Sequence, residues 1–500
     1  MYNIKYMLEI LTQKQGISLL VFYGLLMIFL SLLFSYKRKR DTAEFLLASR
    51  DVGVWTGAMS IAAAWIWAPA LFVSSQKAFE QGLAGAFWFI FPNMLALIIF
   101  APLALKIRKI LPKGYTFPQF INLRHGKSVH FLYMVQFVIL QICAFAIQIL
   151  AGSTLIHIVT GIPYVTIALI LVSIVLSYSL VGGFRTSILT GYVQMLLIII
   201  ISAVTVFLVF INSGFETLTT GLGGVTGNFG NIFDPWVFYS FGIATTIGLL
   251  AGPVGDQMHW QRAYSLKTNK DVIKTFVIAA GLFAVVPILL SVLGFIGAGK
   301  VILDGWVISN SQMVGPITVS MLLPVSAMII FIVMLLSGLL STLNSILCAV
   351  ASLAVIDIYN PGKQLSETGN DNDPKKVTIA RISMAVMAIL GLLIALIPGL
   401  QILHLFLFYA TLRASTFVPT VMTLLWPKLK SRAVFVSVLL SMILGAPLMG
   451  LGAVIKNVHV SVAGSLLTVT IGFLGCYFLS KTIYKKDYDS EKYSLQNQEK

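Results

Sequence analysis

A guanidinium lies deep inside an apolar run at Arg413 (FLFYATLRASTFVP), where a cation in hydrocarbon is costly enough to demand a partner, a wet cavity or a charged ligand. Asp256 is the acid placed to answer it, because the other Asp and Glu residues gather at the ends of apolar runs and in the joints between them. It could pair with a basic side chain, carry a proton, or cap a helix beside Arg262. Trp65, Trp67 and Trp88 offer flat faces that could sandwich a planar, donor-rich solute. They could equally be packing or interfacial tryptophans. Gln141 and Gln148 are seven residues apart, hence on one helical face, and can hydrogen-bond a polar solute or a neighbouring helix. The six histidines have no ligand spacing, and Cys143, Cys348 and Cys476 fall singly in apolar runs, as buried thiols do. No nucleophile with its base, phosphate loop or metal cage is present in the sequence. The chemistry on offer is recognition and charge, with no cofactor called for.

These side chains need a scaffold that composition identifies. The 500 residues are 58% hydrophobic and only 10% charged, with mean hydropathy +0.92. A soluble domain is about one quarter charged, so this chain could not cover its surface in water. At about 20 residues per crossing, the apolar content suffices for about thirteen membrane helices. A soluble enzyme, a nucleic-acid binder and a disordered scaffold are excluded. The net charge of +16 is then Lys and Arg retained in cytoplasmic loops.

Apolar runs predict thirteen spans, at 17–36, 54–78, 84–105, 130–159, 163–181, 187–212, 235–256, 273–298, 319–356, 378–398, 401–425, 433–455 and 460–480. The cluster Lys37-Arg38-Lys39-Arg40 follows the first span, which argues against a cleaved signal peptide and holds the N-terminus outside. Odd-numbered crossings then leave the C-terminus inside. Under that assignment 28 of the 34 Lys and Arg fall on the inner side and five on the outer, the last being Arg413. Residues 1–484 read as one membrane domain of the plasma or bacterial inner membrane, with 485–500 a charged tail.

Two spans are interrupted at matching places. The second carries Pro69 within SIAAAWIWAPALFVSS, and the seventh carries Gly252-Pro253 within GIATTIGLLAGPVGDQMHW. Broken membrane helices are tolerated where freed backbone groups face protein or a cavity. Five spans separate the two breaks, and the spans cross in opposite directions, as in two inverted five-helix repeats at about 53–212 and 235–425. The helices at 17–36, 433–455 and 460–480 are then peripheral. Two ordinary proline kinks would read the same way from spacing alone.

From Asp41 to Tyr484 the chain resembles the sodium:solute symporter family. The resemblance rests on AEFLLASR (43–50), YSLVGGFRTSILTGYVQ (178–194), DQMHWQRAYS (256–265), SGLLSTLNS (337–345) and DIYNP (357–361). WIWAPALFVSS (65–75) and QGLAGAFWF (81–89) look most like its urea-active branch. The resemblance implies an all-α LeuT-type fold, a solute bound at mid-membrane beside Ala70 and the tryptophans, and a coupling cation between spans two and nine. Carried over by position, the sodium ligands fall on the carbonyls of Ala63 and Ile66 and on Ser337 and Gly338. Gly338 lacks the hydroxyl that family members use, leaving Ser341 or Thr342 to substitute, and Gly191 stands where the family has an aspartate. Arg413 could occupy the vacant cation position or bind an anionic solute. The function implied is cation-coupled import of a small polar solute, urea or a urea-like amide first, with sodium or a proton as coupling ion. An organic anion or amino acid is the competing cargo; a solute sensor or passive channel is the competing class. Oligomeric state stays open.

Overall fold

The computed structural model describes residues 10–36, 41–361, 374–400 and 402–482. The basic cluster 37–40, most of the 360–377 joint and the tail 485–500 lie outside the described residues. Among the described residues the architecture is helical, with one isolated bridge between Val52 and Leu266.

A peripheral helix α1 (Gln13–Ser35) opens the chain, followed by short α2 (Thr42–Leu47). The first broken span is α3 (Val54–Trp65) continuing into α4 (Ala68–Ile110). Next come α5 (Phe117–His125), α6 (Lys127–Thr160) and α7 (Tyr164–Gly221). The second broken span is built from α8 (Pro235–Val237), α9 (Ile243–Leu250) and α10 (Gln257–Ser265). The chain continues through α11 (Asn269–Asp304), α12 (Val314–Leu322) and α13 (Val325–Leu353). It closes with α14 (Pro374–Ala395), α15 (Ile402–Leu425), α16 (Ser431–Leu440), α17 (Ala446–Val454) and α18 (Val458–Thr482).

Nine helices among the described residues are long and apolar enough to cross a membrane. The difference from thirteen apolar runs has a physical origin. At 43 and 58 residues, α4 and α7 would be about 65 and 87 Å long if straight, far beyond a hydrocarbon core of about 30 Å. Each is interrupted at a glycine. Gly82 has φ +54°, ψ −147°, and a methyl group at Gly85 would lie 2.5 Å from the Lys77 carbonyl, so the chain doubles back there. Gly183, at φ +57°, breaks α7 in the same way. Leu83 and Ala84 donate their amides to the carbonyls of Leu222 and Phe229.

The basic joints meet at one end of the bundle. Arg50 donates to the carbonyls of Gly114 and Tyr264, and Arg108 donates to those of Ala263 and Leu266. Glu44 pairs with Arg185 at 2.8 Å. The AEFLLASR motif builds this corner: Ala48, Ser49 and Arg50 all have positive φ, held by the Ser49 hydroxyl donating to Glu44. Three consecutive left-handed residues persist only where contacts over-determine them.

Within lipid, helices associate through close packing of small residues and interhelical hydrogen bonds rather than by the hydrophobic effect. The central pair obeys this. Gly57 to Trp65 of α3 is wholly buried and rich in Ala, and Met334 to Leu353 of α13 is buried throughout. By contrast, Phe22, Leu25 and Phe29 of α1 are exposed, as a lipid-facing helix requires.

Candidate functional site

Both breaks occur where local sequence stops a helix. Ile66 (φ −82°, ψ 81°) leaves the helical region before Trp67, and Pro69 starts α4 as a first-turn proline. The second break spans Ala251 to Asp256, where Gly252-Pro253 ends α9 and Asp256 starts α10 as its N-cap. The two meet: a methyl group at Gly252 would collide with the Trp65 ring and lie 3.2 Å from Arg413 Nη1.

The second break is charged, and its carboxylate is fully answered, while Arg413 Nε has no protein partner. Arg413 and Asp256 form an ion pair at 3.2 Å, with side chains only 2% and 1% exposed. Asp256 Oδ1 accepts from Gln141 Nε2 (2.9 Å) and the Met258 amide (3.1 Å), while Oδ2 accepts from the Tyr409 hydroxyl (3.2 Å) and Arg413. Four donors occupy the carboxylate's lone-pair sites. The guanidinium lies 3.9 Å from the Tyr409 ring centre, 5.4 Å from Trp67 and 5.6 Å from Trp65, within cation–π range of all three. Behind Arg413 is a cavity of about 40 Å³ lined by Thr245, Gly248, Phe406, Ala410 and Met449, room for one water.

The first break is neutral. Gln148 Oε1 accepts the Ala68 amide at 2.9 Å, closing the start of α4. Trp65 Nε1 donates to the Asn93 carbonyl, and its ring meets His259 edge-on at 4.9 Å. Thr342 Oγ1 of α13 lies 3.3 Å from both the Ala64 and Ile66 carbonyls and 3.2 Å from that of Gly338. Buried polar atoms lack a protein partner at both breaks: Trp67 Nε1, Gln148 Nε2 and Asn93 Oδ1 by this one, Gln141 Oε1 and Arg413 Nε by the other. Leaving such a group unpaired costs about 1–3 kcal/mol.

The structure therefore brings Trp65, Trp67, Gln141, Asp256 and Arg413 together. The residues placed by family position are arranged less simply. Ile66 reaches α13 through its carbonyl, but its polar neighbour is Thr342, and the second carbonyl is that of Ala64 rather than Ala63. Ser337 turns to the peripheral helix, accepting from Tyr23 at 3.1 Å and donating to the Val333 carbonyl. A methyl group at Gly338 would sit 3.3 Å from the Ile66 oxygen, so this glycine lies against the break without offering an oxygen from a side chain. Ser341 faces Gly191, whose added methyl would lie 3.7 Å from the Ser341 hydroxyl. Ala70 is buried, with its amide on the Trp67 carbonyl. Trp88 stands apart, on the chain after the Gly82 turn, against Phe87 and Phe238. Tyr409 and Asn93 were not singled out from sequence. Tyr409 lies one helical turn before Arg413, a spacing that could have flagged it.

The sodium:solute symporter family model matches residues 45–445. The chain belongs to the sodium:solute symporter family. Among similar proteins, the urea-proton symporter DUR3 of Oryza sativa subsp. japonica is 23% identical over 462 residues, covering 84% of this chain and 63% of that protein. Probable urea active transporter 1 of Schizosaccharomyces pombe is 32% identical over 197 residues, 38% of this chain and 30% of that one. The urea active transporter of Saccharomyces cerevisiae is 28% identical over 290 residues, 54% and 39% respectively. The chain thus spans less than two thirds of the length of each of these three relatives. Among solved structures, a substrate-bound, outward-open Na+-coupled sialic acid symporter superposes with TM-score 0.77 at 17% identity, over 95% of this chain and 99% of that one. MhsT in complex with L-phenylalanine gives 0.52 at 15% identity, over 84% and 98%. At these identities the likeness defines the fold, an all-α membrane protein of LeuT type, as this family member's sequence implied.

Proposed function

We propose that this protein is a secondary active symporter importing a small, planar, polar solute, urea or a urea-like amide, by alternating access. Repeats at 53–212 and 235–425 would rock about the two breaks, with the N-terminus outside and the C-terminus inside the plasma membrane. One observation carries the choice of solute: unpartnered buried donors on Trp67 and Gln148 at the neutral break, with an unpartnered acceptor on Gln141 at the charged break. Urea offers a carbonyl to the donors and N–H groups to the acceptor, between aromatic faces. An anionic cargo is disfavoured because Arg413 already holds Asp256. The urea-transporter relatives support the same reading.

The contacts of the cation route favour a proton over sodium. A hard cation requires several oxygens, yet Ser337 is engaged elsewhere and Gly338 and Gly191 bring no side-chain oxygen, while the one Thr342 proton is shared among the Ala64, Ile66 and Gly338 carbonyls. Labelled-urea uptake into reconstituted vesicles, with sodium and proton gradients imposed separately, tests this. Uptake should follow the proton gradient in sodium-free buffer; accumulation under neither gradient would overturn symport.

A further inference from the structure

Two basic corners lie at one end of the bundle, and they use their charges differently. At the first, Arg50, Arg108 and Arg185 are spent on backbone carbonyls and on Glu44. At the second, Arg124 of α5 donates through Nη2 to the Trp426 and Pro427 carbonyls at 3.0 and 3.2 Å, and the Lys430 amide donates to the Ser480 hydroxyl at 3.2 Å. These bonds gather the start of α6, the α15–α16 joint and the end of α18, and with them Lys127, Lys428, Lys430, Arg432 and Lys481. All but Lys430 are exposed, and among the described residues none of the five pairs with an acid. The segments that build this corner lie within 81–215 and 374–486, which contain no Asp or Glu.

An aromatic ladder runs away from these charges. Lys481, Tyr477 and Phe473 follow one another at four-residue steps on α18, hence on one face. The Lys481 ammonium donates to the Tyr477 hydroxyl and stands 4.1 Å from the centre of that ring. The Tyr477 ring stacks on Phe473 at 6.2 Å and on Trp426 at 5.9 Å. Phe473 is 51% exposed, as is Leu425, next to Trp426, at 54%. Tyr and Trp at the end of membrane helices sit at headgroup level. The stripe therefore passes from free cations, through interfacial rings, to apolar side chains that face hydrocarbon. A phospholipid has the same order: phosphate, glycerol ester, acyl chain.

We infer that this corner binds an anionic phospholipid, with Lys428, Arg432 and Lys481 around its phosphate and an acyl chain along Phe473 and Leu425. The inference stands apart from the choice of solute and of coupling ion. A positive face alone needs only counter-ions from water; what makes this corner a site is the ordered stripe beside its charges. A zwitterionic lipid brings its own ammonium and leaves the corner uncompensated, whereas an anionic one offsets it. Bound there, the lipid would clamp α18 to the joint between α15 and α16, the helix that carries Arg413.

The experiment is thermal unfolding of the purified full chain in detergent micelles doped with phosphatidylglycerol or phosphatidylcholine. Phosphatidylglycerol should raise the midpoint by roughly 3 °C or more over phosphatidylcholine. The triple variant Lys428→Gln, Arg432→Gln, Lys481→Gln should melt with the parent in phosphatidylcholine and need about tenfold more phosphatidylglycerol for half the shift. Lys481→Gln alone should need at least about twofold more. Lys109→Gln, Lys270→Gln, Lys274→Gln together remove the same charge from exposed positions outside the corner, and should leave the titration within about twofold of the parent. Equal midpoints in the two lipids would overturn the inference. So would equal weakening in both triple variants, which would reduce the effect to general charge, or an equal shift from soluble glycerol phosphate, which has no acyl chain.

Discussion

The two interrupted helices solve one problem in opposite ways. At Ile66-Trp67 the freed carbonyls face a single hydroxyl, Thr342, and no charge is involved. At 251–256 an aspartate and an arginine are buried together under three aromatic rings. The neutral break can exchange its partners cheaply, because a hydroxyl or a solute group of like polarity can replace another. The charged break cannot, since removing either ion strands the other in a low-dielectric interior. Under the proposed function, that asymmetry gives solute exchange to the first break and structural anchoring to the second.

The sharpest way to break this comparison is Asp256→Ala, which leaves Arg413 unpaired. It should cost about 3–5 kcal/mol and abolish monodisperse protein in detergent chromatography, whereas Asp256→Ala with Arg413→Met should recover much of the loss. A double variant as unstable as the single would show that the pair is not the anchor. Gly252→Ala forces the second break away from the Trp65 ring of the first. Overpacking of this kind should cost about 1–3 kcal/mol, read as a lower unfolding midpoint, and should slow urea uptake as well.

Trp67→Phe keeps the aromatic face and removes one donor. It should lower kcat/KM for urea uptake about tenfold with the unfolding midpoint little changed; an unaltered kcat/KM would take Trp67 Nε1 out of the solute site. Thr342→Ala, at the neutral break, should cost only about 1 kcal/mol in denaturant unfolding. A loss as large as that of Asp256→Ala would erase the contrast.

The smallest effect lies outside both breaks. His125, in the joint helix α5, is buried with its ring nitrogens 3.2 Å from Ser431 and Thr423, and burial next to Arg124 lowers its pKa from 6.5 to about 3. The folded state holds the ring neutral, so its contribution is complete above pH 6.5 and erodes as pH falls from there toward 3. By pH 6 the loss is about 1 kcal/mol, and His125→Gln should flatten that part of the stability–pH curve. This is the background slope against which a test of the proposed proton coupling has to be read.

Much of the scaffold was legible because its signals are local. Pro69 and Gly252-Pro253 interrupt helices through their own backbones, and the apolar run around Arg413 required a partner wherever the helix went. Gly82 and Gly183 fell in the joints between apolar runs, as the structure has them; what the sequence did not show is that each turn is made at a positive φ within an otherwise continuous helix. The ion route was the least legible. Position in the family pointed to Ser337, but a helix side chain's direction depends on what crosses it, and Tyr23 of α1 takes that hydroxyl.

Composition alone determined that this chain lives in a bilayer, since 10% charged residues cannot dress 500 in water. Proline and glycine placement determined where its helices break, because those residues act on their own dihedral angles and hydrogen bonds. Tertiary structure decided which buried groups meet: Arg413 with Asp256 across 157 positions, Thr342 with Ile66 across 276, and Arg262 with the Ser60 and Ser345 hydroxyls. Such pairings are set by how helices cross, and a contact between distant residues leaves no local mark in either segment.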